Sequence, residues 1–252
     1  MGGVAMSGFK SGFKSGFMSG FQSIFVPRFF ISRLLGLAAL IGLAATAAAS
    51  AQDSRQNAPG EFDFYVLSLS WSPSFCEEAS ERGNSGRQQA QCGGRPFSFV
   101  VHGLWPQYER GFPEYCVRPS PRLDRNIMTS MLDLMPAPGL IFHEWDEHGT
   151  CSGLAARAYF DTIRKARAAV KIPPDYLQLS EPKTVAPSEV EDAFIKVNPG
   201  LSPTAISVTC NRTRLSEVRI CMSKDLQFRA CEEIDHHSCR RDQVTMPPVR
   251  GG

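Results

Sequence analysis

Eight cysteines constrain this chain more than any other feature. They stand at positions 76, 92, 116, 151, 210, 221, 231 and 239, all beyond residue 75 of a 252-residue chain. No Cys-x-x-Cys pair occurs among them, which argues against a zinc ribbon or a dithiol redox motif. In an exported chain, an even number reads as four disulfides and a domain stapled by them. The last four fall close together, and Cys210–Cys239 enclosing Cys221–Cys231 is a nested pairing that suits their order. About a hundred connectivities remain formally open to eight cysteines.

Export is what the N-terminus predicts. It carries four copies of Ser-Gly-Phe-X, four basic residues (Lys10, Lys14, Arg28, Arg33) and no acidic residue before Asp53. A 16-residue apolar run from Leu34 to Ala49 follows, with small Ala49 and Ala51 before Gln52. Basic n-region, apolar h-region and small residues at the cut describe a secretory signal over residues 1–51, cleaved after Ala51. The run is short for a spanning helix, although an uncleaved anchor is the competing reading. Removal leaves 201 residues with 23 basic and 25 acidic side chains, so the net charge passes from +2 to −2. Such a length suits one domain with one core. The near-neutral balance excludes the basic footprint of a tight duplex binder.

Within the mature part, residues 52–60 read as a polar leader, 61–245 as the domain, and 246–252 as a loose tail. "EFDFYVLSLSW" alternates, with Tyr65, Leu67, Leu69 and Trp71 on one face of a strand. The polar stretch between Cys76 and Cys92 reads as a surface loop, tied at its base if those cysteines pair. In "RPFSFVVHGLWPQ", Phe97, Phe99 and Val101 take one side of a second strand; Ser98, Val100 and His102 take the other. Gly103 and Pro106 are expected to break it, leaving His102 at a strand end, where a rigid backbone opens onto solvent. Pro136, Pro138 and Gly149 bound a short helix across 140–148. A second helix follows, with Leu154, Ala158, Ile163 and Ala166 toward the core. A third carries a capping box of Ser188 with Glu191. Strand patterns return from 204 to 231, turning at "CNRTR". Mixed elements without regular β-α-β alternation predict an α+β fold: a central antiparallel sheet flanked by helices in a single disulfide-stabilised domain.

The densest chemistry lies in "HEWDEH", residues 143–148. Zinc-binding histidines sit four apart on a helix, but His143 and His148 are five apart and point about 140° away from each other. Glu144 and His148, four apart, share a face. A carboxylate beside an imidazole favours proton transfer over metal binding. His236 and His237 form a metal site only if Cys231 and Cys239 are reduced, which an oxidising compartment prevents.

"VHGLWPQ", followed about 40 residues later by "FHEWDEHGTC", resembles the two active-site segments of the ribonuclease T2 family of secreted endoribonucleases. "LSLSWSPSFC", "AYFDTIRKARAAVKI" and "CNRTRLSEVRIC" extend the resemblance across nearly all of the mature chain. It implies single-stranded RNA as substrate, no cofactor and no metal. DNA, lacking the 2′-OH, is not expected to be cut. By resemblance, His148 is the base that takes the 2′-OH proton and His102 the acid that protonates the departing 5′-oxygen. Glu144 positions or polarises this machinery, His143 contacts phosphate and Trp105 stacks on a base. The implied products are 2′,3′-cyclic phosphate and then 3′-phosphate ends, made by a monomer outside the membrane, in the periplasm or medium.

Two positions depart from the family pattern. The usual lysine before the second histidine is Glu147, which cannot stabilise a phosphorane and tends to raise a neighbouring histidine's pKa. Either an arginine elsewhere takes over that charge or turnover is reduced, and the alternative reading is an RNA- or partner-binding protein with an impaired site. Gln107 stands where many members carry aspartate. Its amide both donates and accepts, so it bears on base preference.

Overall fold

The computed structural model describes residues 55–84, 89–93, 95–232, 234 and 237–249. The expected signal over 1–51 and its cleavage point lie outside the described residues, as does His236. The described residues belong to one compact unit, Gln52–Gly252. No helix among them is long and apolar enough to cross a membrane.

Six strands form one sheet: β1 (Phe64–Trp71), β2 (Phe99–Gln107), β3 (Lys183–Val185), β4 (Ile206–Asn211), β5 (Arg214–Met222) and β6 (Val244–Met246). Their order is β2-β1-β5-β6-β3, with β4 also paired to β5. All pairings are antiparallel except a short parallel contact of β5 with β6. The helices are α1 (Ser72–Glu81), α2 (Gln89–Cys92), α3 (Arg125–Ser130), α4 (Pro138–Glu147), α5 (Ala156–Ala169) and α6 (Pro187–Val197). This is the expected α+β arrangement, and its four disulfides are Cys76–Cys92, Cys116–Cys151, Cys210–Cys239 and Cys221–Cys231.

Alternation along β1 sorts its side chains as the period predicts. Tyr65, Leu67, Leu69 and Trp71 join the main core, whereas Phe64 and Val66 pack on the other face with Cys221, Cys231 and Ile234. Against the main face lie Ile141 and Trp145 of α4, Tyr159, Phe160 and Ile163 of α5, and Val190 and Phe194 of α6. Phe99 meets Trp71 at 4.9 Å and Phe194 at 5.4 Å, both edge-on. Each such pair adds about 0.5–1.5 kcal/mol beyond its buried area.

Several expectations are corrected. The stretch after Cys76 is not wholly loop. Its first part is α1, whose buried face consists of small residues (Pro73, Cys76, Ala79) and whose acids bind the β4–β5 hairpin. Arg214 pairs with Glu77 at 2.9 Å and Glu81 at 2.5 Å, and Asn211 Nδ2 donates to Glu78 at 2.9 Å. Leu154 lies before the start of α5 and is exposed; within the helix Ala158 is exposed too, and Tyr159, Phe160, Ile163 and Ala166 form the buried face. In α6, the chain enters at Ala186, whose N–H donates to Glu189 at 3.0 Å. The expected partner, Glu191, instead accepts from Val208 N at 2.9 Å. The leader is pinned from residue 55 onward: Arg55 binds Asp63 at 2.7 Å and Asn57 N donates to Tyr108 Oη at 3.1 Å. The tail is ordered to Val249, whose N–H donates to Leu179 O at 2.7 Å.

β2 is the largest correction. It runs through Gly103 and Pro106 rather than stopping. Proline is tolerated because β2 is an edge strand, where a missing N–H breaks no ladder. The open edge is otherwise answered group by group: Val101 N donates to Leu134 O at 2.9 Å, and Tyr159 Oη donates to Leu104 O at 3.0 Å.

Candidate active site

A β-bulge delivers His102. Ser68 of β1 faces Gly103 and Leu69 faces Val101, so His102 is the extra, unpaired residue. Upstream of it Phe99 and Val101 enter the core; downstream Leu104 does. His102 and Trp105, three apart, therefore emerge on the same side, away from the core. Their rings meet edge-on at 5.3 Å.

Across from this strand α4 brings Glu144, which is fully buried. Trp105 Nε1 donates to its Oε2 at 2.9 Å, and its Oε1 lies 3.6 Å from His102 Nε2 without a hydrogen bond among the described residues. Burial pushes its carboxyl up to about 7, against the pull of His102 and the Trp105 hydrogen bond. The close approach requires Gly103, because a Cβ there would collide with Glu144 Oε2 and Trp105 Nε1.

His148 follows at the C-terminal cap of α4 and is buried beside Trp105, ring centres 5.4 Å apart. Burial pulls its pKa down to about 4, with Glu147 resisting and His143 and His102 assisting. The i,i+4 relation of Glu144 to His148 survives as a backbone bond, His148 N to Glu144 O at 3.2 Å, while the Glu144 carboxylate turns to His102 and Trp105. His143 is half exposed; its Nε2 lies 3.2 Å from Glu147 Oε2, and the other Glu147 oxygen is 3.6 Å from His148 Nε2. Tyr115 grips Glu147 twice, its hydroxyl donating to Oε2 and its backbone N–H to the carbonyl, each at 2.7 Å. It does so from a left-handed backbone (φ 50°), next to the Cys116–Cys151 bridge.

Two residues that the sequence did not single out complete the site from β5. Glu217 is buried, and its Oε1 hydrogen-bonds His102 Nδ1. Its Oε2 accepts from Arg219 Nε at 3.0 Å and Nη2 at 2.8 Å. Burial alone would raise the Glu217 carboxyl, but His102 and Arg219 outweigh it and hold it down at about 2. For His102, burial opposes the charge, yet the bond and charge of Glu217, with Glu144, keep its pKa above the ordinary value. The Arg219 guanidinium covers the Trp105 ring at 5.1 Å.

All six residues marked by the resemblance, His102, Trp105, Gln107, His143, Glu144 and His148, line one cleft of about 410 Å³. Arg219, Phe112 and His237 line it too. Gln107 is buried, its Nε2 donating to Pro106 O at 3.0 Å. A second cavity of about 390 Å³, between α1 and the start of α4, shares His102 and His143 with the first. Trp145 is a core aromatic, its Nε1 donating to Pro121 O at 2.7 Å.

A family model described as the Ribonuclease T2 family matches residues 62–231, which contain this cleft's histidines 102, 143 and 148. The chain belongs to the ribonuclease T2 family. A ribonuclease of Aeromonas hydrophila is 45% identical over 97 residues, 38% of this chain and 40% of that protein. Ribonuclease I of Escherichia coli is 26% identical over 206 residues, 66% of this chain and 77% of that protein. The match to the Aeromonas relative, and another to a relative from Haemophilus influenzae, spans half or less of those proteins' lengths. Among solved structures, RNase NT in complex with 5′-AMP is 25% identical with a TM-score of 0.58, covering 75% of this chain and 99% of that one. The T2 family thus supplies the fold, while the Glu217–Arg219 pair and the Tyr115 clasp on Glu147 are read from this chain's own geometry. Glu217 and Arg219 escaped notice because two polar residues two apart look like the solvent face of any alternating strand.

Proposed function

We propose that the mature chain is a secreted endoribonuclease that cleaves single-stranded RNA by proton transfer between two histidines, without a metal. The observation that carries this reading is that His102, from β2, and His148, from the cap of α4, line one cleft, both beside Trp105. Their basicities are displaced in opposite directions, burial lowering His148 to about 4 while Glu217, against burial, raises His102. Groups pushed apart in this way divide into a base and an acid at the same pH. Neutral His148 accepts the ribose 2′-OH proton as the 2′-oxygen attacks phosphorus. The P–O5′ bond breaks, and protonated His102 gives its proton to the leaving oxygen. Hydrolysis of the resulting 2′,3′-cyclic phosphate reverses the two roles and leaves a 3′-phosphate. Glu144, uncharged through the acidic range, donates a hydrogen bond to a phosphate oxygen rather than repelling it. His143 contacts phosphate from the cleft rim, Trp105 stacks on a base, and Gln107 reads base edges.

DNA is not cut, since it offers no 2′-oxygen. Export is supported by four disulfides, which persist in oxidising compartments, and by the apolar N-terminal segment. The chain acts as a monomer. The test is cleavage of a short RNA in EDTA from pH 4 to 8, beside a His148→Ala protein, with product ends identified. Cyclic-phosphate ends that vanish with His148 are expected. Intact RNA at every pH would overturn the enzyme reading in favour of an RNA-binding protein whose histidines are occupied by Glu147.

A further inference from the structure

Transphosphorylation builds negative charge on the non-bridging phosphate oxygens, and that charge needs a positioned cation. The cleft is poorly supplied with one. Its α4 wall contributes two carboxylates, Glu144 and Glu147, and Glu147 sits against both His143 and His148. Among the described residues lining the cleft, a single side chain is a lysine or arginine: Arg219.

We propose that Arg219 is the cation that binds the scissile phosphate and stabilises its charge during cleavage. The proposal rests on the ribonuclease reading above. Strand register places it: Arg219 lies opposite Ser68, and Ser68 lies opposite Gly103, beside the bulge that presents His102. The guanidinium is fixed rather than free. Its Nε and Nη2 both bond Glu217 Oε2, and its plane covers Trp105. Among the described residues its hydrogen bonds run from Nε and Nη2 and none from Nη1, and the side chain keeps 24% of its surface exposed. A guanidinium held by one edge can offer the other to a phosphate oxygen, which its planar fork matches.

Glu217 does not cancel this charge. One carboxylate serves both Arg219 and His102, so with His102 protonated the three groups carry a net positive charge. Acid and phosphate cation are thereby tethered to the two oxygens of the same group. That arrangement fixes their spacing as the substrate enters.

The experiment compares Arg219→Ala, Arg219→Lys, and Arg219→Ala combined with Glu147→Lys, each with intact thermal unfolding. RNA cleavage is measured together with calorimetric titration of adenosine 3′-monophosphate and of inorganic phosphate. Arg219→Ala is expected to lower kcat by about a hundredfold or more and to weaken nucleotide binding about tenfold. Arg219→Lys is expected to fall between. Glu147→Lys, entering from the opposite wall, is expected to restore at least tenfold of the Arg219→Ala loss, because charge rather than packing is what was removed. Unchanged nucleotide affinity in Arg219→Ala would overturn the assignment, as would a loss of rate that Glu147→Lys leaves untouched. Either result would mean that Arg219 only supports Trp105 and Glu217. If the unaltered chain leaves RNA intact, the enzyme reading falls, and the nucleotide titration alone decides whether Arg219 binds phosphate.

Discussion

Adding one methyl group at Gly103 tests the site's geometry most directly. A Cβ at this position overlaps Glu144 Oε2 and Trp105 Nε1 and stands 2.7 Å from Glu144 Cδ. Carbon atoms in ordinary contact are about 3.5–4.0 Å apart, so the carboxylate must retreat by roughly 1 Å. It cannot do so freely, because Glu144 is fully buried and tied to Trp105. Overpacking of this kind costs about 1–3 kcal/mol. For a chain of this size that is a drop in Tm of roughly 2–10 °C. The kinetic cost is larger: a displacement of about 1 Å in a catalytic constellation lowers rate by about a hundredfold. Gly103→Ala is therefore expected to cleave RNA about a hundred times more slowly while remaining folded, read by initial rates and thermal unfolding side by side. Gly139→Ala, where a Cβ meets nothing within 4 Å, serves as the stability control. Wild-type kcat/KM in Gly103→Ala would refute the claim that the Glu144 carboxylate must lie over this glycine.

Three further outcomes follow from the same geometry. Folded Glu144 keeps its proton up to about 7 whereas the unfolded chain loses it near 4.5, so its burial weakens the protein by about 3 kcal/mol as pH rises across that interval. Glu144→Gln is expected to abolish this decline, measured by urea unfolding at pH 5 and 8; an identical decline in the variant would refute the assignment. Glu217→Gln removes the main group that raises His102, so the alkaline limb of the pH–rate profile is expected to move toward lower pH, and an unmoved limb would count against His102 as the acid. Removing the Cys116–Cys151 bridge by paired serine substitution frees a loop of 35 residues, with an expected loss of about 3–4 kcal/mol in chemical denaturation. A loss below about 1 kcal/mol would mean that the Tyr115 contacts suffice to hold that loop.

What could be read from the sequence was what depends on local periodicity. Tyr65, Leu67, Leu69 and Trp71 alternate, and the strand buries one face of a packed sheet, so a period of two was enough. The nested pairing of Cys210–Cys239 around Cys221–Cys231 was one of about a hundred that eight cysteines allow, and only the folded chain selects it. α1 was illegible because its buried face is Pro73, Cys76 and Ala79, too small to mark a stripe, and its acids look solvated until Arg214 and Asn211 arrive from β4 and β5. The bulge at His102 is a property of two strands and cannot be seen in one. Glu217 was hidden for a related reason, since it meets His102 only through β1, and 115 positions separate them. The cleft's histidines were visible as a motif, but what sets their basicities was not.

The strand that carries His102 is also the margin of the sheet, and this has a consequence for self-association. A free strand edge is a template for another chain, and proteins keep such edges from pairing. Here the bulge at His102 interrupts the regular spacing of donors and acceptors, Pro106 lacks an N–H, and Leu134 and Tyr159 occupy the groups at Val101 and Leu104. Features that aim the histidine thus also deny a second strand its register. Straightening β2 by deleting its extra residue would dismantle the site and, at the same stroke, take away one of the features that keep the edge from pairing.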